Sequence, residues 1–153
     1  MSFREKFWLS LLMIASSCFA CRRPGPVTPQ PTLLTVVRVP PPAVYALWLE
    51  QLKGCLQYLL RADSTLAFHV VAWHSSVDSL VWFGTPTEEP DGGFPCRGER
   101  CLGMTRRDSV VISAQQLGNP VVVKHELLHV LVDSPTESAR PHGLPWGFCE
   151  FVN

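Results

Sequence analysis

The stretch VVVKHELLHVLVD, residues 121–133, decides how this chain is expected to fold. It is apolar on nearly every side, which is typical of a helix buried in a protein core. Asn119 is a favourable N-cap residue, and Pro120 suits the first position of a helix. Pro135 disfavours helical backbone at the residue before it. The sequence therefore predicts a buried helix that starts after Asn119 and ends near Asp133.

His125, Glu126 and His129 give this helix the pattern H-E-x-x-H. Residues four apart lie on one helix face, so the two imidazoles can bind one zinc ion (Zn²⁺) at about 2.0–2.1 Å. Zinc lowers the pKa of a bound water to about 7, and the Glu126 carboxylate can accept its proton during attack on a carbonyl. In an apolar helix these polar groups are costly to bury unless they are satisfied. We therefore favour a metal site over two hydrogen-bonded core histidines.

Through these three residues and the strand–helix order before them, the chain resembles the zincin-type metallopeptidases. The resemblance implies zinc on His125 and His129 and a catalytic general base at Glu126. It also implies a peptide substrate bound along a nearby edge strand, for which residues 109–113 are the candidate. The chain further resembles small uncharacterised bacterial exported lipoproteins with a C-terminal H-E-x-x-H helix, a further histidine and a late cysteine.

The third metal ligand has to come from outside the motif. The metzincin extension is absent, since Val132 stands where its glycine is expected and Pro135 where its third histidine is expected. His142, in the turn-rich segment RPHGLPWG, is the favoured ligand because the chain between it and the helix is long enough to return. Glu137 and Glu150 are alternatives, and water or another group also stays open.

The segments before the motif predict an α+β fold for residues 33–153. A helix over 43–60 is indicated by apolar residues at near-helical spacing: Val44, Leu47, Leu49, Leu52, Leu56 and Leu59. Runs rich in β-branched and aromatic residues predict strands at 33–39, 66–73, 79–83 and 109–113. We expect a small zincin-like domain in which an N-terminal helix, a short mixed or antiparallel sheet and the H-E-x-x-H helix pack together.

Four cysteines of this domain are expected to form two disulfides. Cys96 and Cys101 lie five residues apart in 84–105, a segment rich in Pro, Gly and charge that we interpret as a loop. Cys55 and Cys149 then pair by elimination, and closing so long a loop stabilises a fold by roughly 4 kcal/mol in the chain-entropy model. Disulfides persist in oxidising compartments, which agrees with export.

The N-terminus predicts that export. Residues 1–20 combine an early positive charge, an apolar run too short to span a bilayer, and small residues after it, as in a signal peptide. Cys21 is the favoured lipid-attachment site because its use leaves an even number of cysteines; Cys18 is the alternative, and cleavage without a lipid also stays open. The Pro-rich residues 21–32 are then a tether to the membrane surface.

The charge balance excludes one class of partner. Thirteen basic residues face thirteen acidic ones, so no basic excess favours nucleic-acid binding. Together the features favour an exported, periplasmic or extracellular zinc-dependent metallohydrolase, a peptidase that acts on a peptide or amide bond. The alternative is a non-catalytic, zinc-stabilised exported lipoprotein domain with a binding or structural role. A third hypothesis is an interaction lipoprotein in which the motif is accidental.

Overall fold

The computed structural model describes residues 35–85, 92–96, 99–133 and 143–152. The expected signal peptide and tether, with both candidate lipid-attachment cysteines, lie outside the described residues. His142 and Glu137 lie outside them as well. Within the described part of the chain, every helix is too short or too polar to cross a membrane.

The described residues form a small α+β domain with three helices and a mixed sheet. In chain order the elements are β1 (Val37–Arg38), α1 (Val44–Ala62), β2 (His69–Val70), β3 (Val81–Thr85), β4 (Phe94–Cys96), β5 (Glu99–Cys101), β6 (Gly103–Arg106), β7 (Ser109–Ser113), α2 (Pro120–Leu131), β8 (Val132–Asp133) and α3 (Trp146–Cys149). Single turns of 3₁₀ helix at Val77–Ser79 and Ala114–Gln116 precede β3 and follow β7.

Helix α1 is amphipathic and supplies one side of the core. Its buried residues are Tyr45, Leu49, Leu52, Cys55, Leu56 and Leu59. Val44 and Leu47 belong to the apolar pattern that predicted this helix, but they lie outside the core, since 40% and 58% of these residues are exposed. Tyr45 faces the core instead, and its hydroxyl donates a hydrogen bond of 2.7 Å to the backbone oxygen of Leu117.

The main sheet has the strand order β1-β3-β7-β6. Strands β3 and β7 are parallel, whereas β1 and β6 run antiparallel to their neighbours. The predicted edge strand 109–113 exists but lies inside the sheet, between β3 and β6. The edge strand on this side of the sheet is β6, most of which lies in the segment 84–105 that we interpreted as a loop from the sequence. It turns directly into β7 through Arg107 and Asp108, with Arg107 in left-handed backbone at a φ of 56°.

Two short ribbons complete the strands. Strands β4 and β5 form an antiparallel hairpin in the expected loop, and β2 pairs with β8. The predicted strand 66–73 was therefore too long, because only His69–Val70 finds a partner strand.

Helix α2 contains the H-E-x-x-H motif and begins as predicted. The side chain of Asn119 accepts a hydrogen bond of 3.1 Å from the backbone N–H of Val121, and Pro120 is the first helical residue. The helix ends at Leu131 rather than near Asp133, because Val132–Asp133 becomes extended and pairs with β2. Helix α2 packs against α1, α3 and strands β6 and β7.

Both expected disulfides are present. The Cα atoms are 5.7 Å apart for Cys55–Cys149 and 5.9 Å apart for Cys96–Cys101, within the usual range. The first joins α1 to the end of α3, and the second closes the β4–β5 hairpin. Neither pair is therefore available as metal ligands.

Candidate metal centre

The two histidines of α2 direct the same ring atom towards each other. The Nε2 atoms of His125 and His129 are 3.3 Å apart, and the ring planes are inclined by 73°. Two nitrogen ligands bound at 2.0–2.1 Å with a tetrahedral angle between them are separated by about 3.3–3.4 Å. The separation of these nitrogens therefore fits two ligands of one tetrahedral ion.

Glu126 lies beside the pair and is only 5% exposed. The hydroxyl of Thr105 on β6 lies 2.8 Å from Glu126 Oε2 and 3.0 Å from its backbone oxygen, so one proton is shared between two acceptors. Burial raises the pKa of Glu126 to about 7, and the hydrogen bond from Thr105 opposes that rise. A carboxyl group in this range can accept and release a proton near neutral pH.

The close approach of β6 to this carboxyl group requires a glycine. A Cβ atom at Gly103 would lie 2.6 Å from Glu126 Cγ and 2.7 Å from its Oε1. Any larger residue would displace the carboxyl group or the strand. The edge strand and the Glu126 side chain are thus in direct contact.

Glu150 contacts the opposite side of the His125 ring. Its Oε2 lies 3.0 Å from His125 Nδ1, and the side chains are 13% and 31% exposed, respectively. An ionised carboxylate only accepts hydrogen bonds, so Nδ1 carries the proton in this pair. The lone pair of the neutral ring is then on Nε2, the atom that faces His129.

Trp146 packs against the second histidine. The ring centroids of Trp146 and His129 are 5.0 Å apart at an angle of 44°, and the tryptophan is 1% exposed. Its contact with His129 could not be read from spacing, since the two residues are in different helices.

A cleft of about 260 Å³ lies along this site. His125, Glu126 and Glu150 line it from one side, and Arg100, Leu102 and Gly103 from the β5–β6 side. The cleft therefore gives a molecule larger than water access to His125 and Glu126, while His129 is not part of its lining.

The structure brings together four residues that we considered for the site from the sequence: His125, Glu126, His129 and the alternative ligand Glu150, which contacts His125 Nδ1. Among the residues that the structure describes, no three His, Cys, Asp or Glu side chains are arranged to hold a metal ion. The favoured third ligand, His142, lies outside that part of the chain. Sequence reasoning missed Thr105 and Gly103, because no pattern marks them within a segment that resembles a loop.

Comparison with known proteins gave no match: no protein-family model matches the sequence, and no similar chain was found among curated proteins or solved structures. Any functional conclusion therefore has to rest on the residues of the site itself.

Proposed function

We propose that this protein is an exported zinc-dependent metallohydrolase, a peptidase of the zincin type. The observation that carries the proposal is the 3.3 Å separation of the His125 and His129 Nε2 atoms, with the buried carboxyl group of Glu126 beside them. The i, i+4 spacing alone brings two ring nitrogens together, but it does not bury the neighbouring carboxyl group or open a cleft beside it.

In this proposal His125 and His129 hold the ion through Nε2, and His142 is the third ligand. When bound, zinc supplies Lewis acidity, which polarises a carbonyl group and makes water a nucleophile near neutral pH. The His125 imidazole can serve as a neutral donor, since Glu150 fixes the proton of His125 on Nδ1. The chemistry of the donor set thus fits a zinc ion.

Glu126 is the proposed general base. The Thr105 hydroxyl donates to Oε2 and so fixes the orientation of the carboxyl group. Glu126 Oε1 has no hydrogen-bond partner among the described residues and is the atom that would accept the proton of the attacking water. A pKa near neutrality suits a group that takes up this proton and passes it to the leaving amine.

The edge strand β6 is the proposed platform for the peptide, in place of residues 109–113. In the described part of the chain, β6 pairs with β7 on one side and with no strand on the other. An extended peptide can add to such an edge through main-chain hydrogen bonds. Gly103 brings this strand against Glu126, so the backbone of the added peptide would run past the general base.

The open cleft also separates the proposal from its alternative, a non-catalytic zinc-stabilised domain. A structural zinc site is closed by four protein ligands, whereas a catalytic site keeps one position accessible. The exposed fraction of the His125 side chain, 31%, and the adjoining cleft favour the accessible arrangement.

The test combines metal analysis with one substitution. We expect one zinc per chain in the purified protein and hydrolysis of members of a peptide library. Glu126→Gln should retain the zinc and reduce hydrolysis by at least about a hundredfold, the contribution of a general base. Glu50→Gln, on the exposed face of α1, is the matched control and should leave both unchanged. Absence of zinc, or full activity of Glu126→Gln, would overturn the proposal; zinc without hydrolysis would support the structural alternative.

A further inference from the structure

We propose that Glu150 is the positioning residue of this site: its carboxylate holds the His125 ring so that Nε2 faces His129. The inference rests on the proposed function, because it concerns how the two histidines are prepared for the metal. It adds a role that the motif does not contain, from a residue 25 positions away in the chain.

The contact itself defines what Glu150 can do. With Oε2 3.0 Å from His125 Nδ1, the carboxylate accepts a hydrogen bond from Nδ1–H and so selects the tautomer with its lone pair on Nε2. The same bond limits rotation of the ring about its χ angles.

Glu150 is itself held on both sides. The preceding residue, Cys149, is fully buried and is bonded to Cys55 of α1. Two residues after Glu150, the backbone oxygen of Val152 accepts a hydrogen bond from Lys124 of α2. The segment that carries Glu150 is therefore attached to two helices. Because its backbone is held in place, the carboxylate can determine the orientation of the His125 ring.

The same short segment also contacts the second histidine. Trp146, at the start of α3, packs its ring against His129, while Glu150 follows the end of α3 and bonds to His125. One C-terminal segment thus fixes both imidazoles of α2. Groups that hold a ligand's other ring nitrogen typically change metal affinity by ten- to a hundredfold.

Direct ligation by Glu150 is the competing explanation. Its oxygen contacts Nδ1, and in an imidazole ring Nδ1 and Nε2 point in different directions. A carboxylate bonded to Nδ1 is therefore on the side of the ring away from the nitrogens that converge. Positioning and ligation make different predictions for the coordination of the metal.

The experiment measures zinc affinity, not activity alone. The zinc dissociation constant is determined by competition with a chromogenic chelator for the wild type, Glu150→Ala, Glu150→Gln and the surface control Glu50→Ala. We expect Glu150→Ala to bind zinc about 10- to 100-fold more weakly. Glu150→Gln should lose less, since its amide oxygen can still accept a hydrogen bond from Nδ1–H. Glu50→Ala removes an exposed carboxylate that, among the described residues, pairs with Lys53 of α1, and it should match the wild type.

Cobalt substitution separates positioning from ligation. The visible spectrum of the Co²⁺ protein should keep its shape in Glu150→Ala, because the number and type of ligands do not change. An altered spectrum would show that Glu150 is a ligand and overturn the inference. Wild-type zinc affinity in Glu150→Ala would also overturn it, while leaving the proposed metal site intact.

A failure of the proposed metal site would be recognised by a different result: the wild type itself would bind no zinc. The inference about Glu150 would then fail as well. Circular dichroism of the metal-free variants shows whether they fold. If Glu150→Ala does not fold, the Co²⁺ spectrum of Glu150→Gln decides: a changed spectrum would reject positioning, and an unchanged spectrum would support it.

Discussion

The two long helices, α1 and α2, bury their side chains for different reasons. Helix α1 has one apolar face in the core, and none of its charged residues, Glu50, Lys53 and Arg61, is buried. Helix α2 is buried over most of its circumference and takes two charged residues with it, Lys124 and Glu126.

The two helices differ in whether packing alone accounts for their buried residues. Packing alone explains α1, since its spacing matches its buried face. Packing does not explain α2, because burying the carboxyl group of Glu126 costs free energy that an apolar residue would not. A stability cost of this kind is expected where a residue is retained for chemistry.

The largest expected effect comes from removing the disulfide bond that joins α1 to the end of α3. Replacing Cys55 and Cys149 by serine opens a loop with a sequence separation of 94. We expect the free energy of unfolding to fall by about 4–5 kcal/mol in the chain-entropy model, measured by urea denaturation. The α3 segment would also lose its covalent link to α1.

The second disulfide is the control for this change. Replacing Cys96 and Cys101, which are separated by five residues, should cost only about 2 kcal/mol. Equal losses for the two pairs would show that loop closure is not the source of the stabilisation.

The next effect is a gain in stability from Glu126→Gln in metal-free protein. The pKa of Glu126 is raised in the folded state to about 7 from an ordinary value of 4.5, so the fold binds the neutral form better. The neutral Glu126 carboxyl group therefore contributes to the free energy of unfolding in full below pH 4.5, and this contribution is lost as the pH rises through about 7. Glutamine stays neutral, so the variant should exceed the wild type by at most about 3 kcal/mol at pH 8.

This gain should vanish at pH 4, where the wild-type carboxyl group is also neutral. Denaturation curves in the presence of a chelator at both pH values measure it. A variant that is less stable than the wild type at pH 8 would contradict the cost assigned to this buried carboxyl group.

The smallest effect comes from comparing a glycine that packs against α2 with a glycine inside α1. Gly103→Ala places a Cβ against the Glu126 side chain and should cost about 1–2 kcal/mol, together with most of the proposed activity. Gly54→Ala, within α1, meets no atom within 4 Å and should stabilise the protein by about 0.5–1 kcal/mol. Thermal unfolding of both variants checks the opposite signs, and a loss at Gly54 or a gain at Gly103 would contradict the packing described.

The elements with strong local signals could be predicted from the sequence. The start of α2 follows from Asn119 and Pro120, and β7 has the bounds expected for 109–113. Boundaries set by distant partners could not: α2 ends early because Val132 pairs with Val70. Strand β6 was missed because four residues with one glycine have no distinctive alternation, and only pairing with β7 makes them a strand.

The residues of the site also fall into a group that could be predicted from local sequence and a group that could not. The spacing of His125, Glu126 and His129 is a local property of a helix, so it could be predicted, and so could the two disulfides. The groups that surround the motif are in other elements: Thr105 on β6, and Glu150 after α3. No sequence spacing connects them with α2.

By itself, then, the amino-acid sequence determined that two imidazoles and a carboxyl group share one stretch of helix, because i and i+4 positions lie on one face whatever surrounds them. Only the tertiary structure decided the environment of these groups. It placed a glycine-containing edge strand against Glu126 and a carboxylate on His125, because such contacts depend on how separate elements pack and not on their separation along the chain.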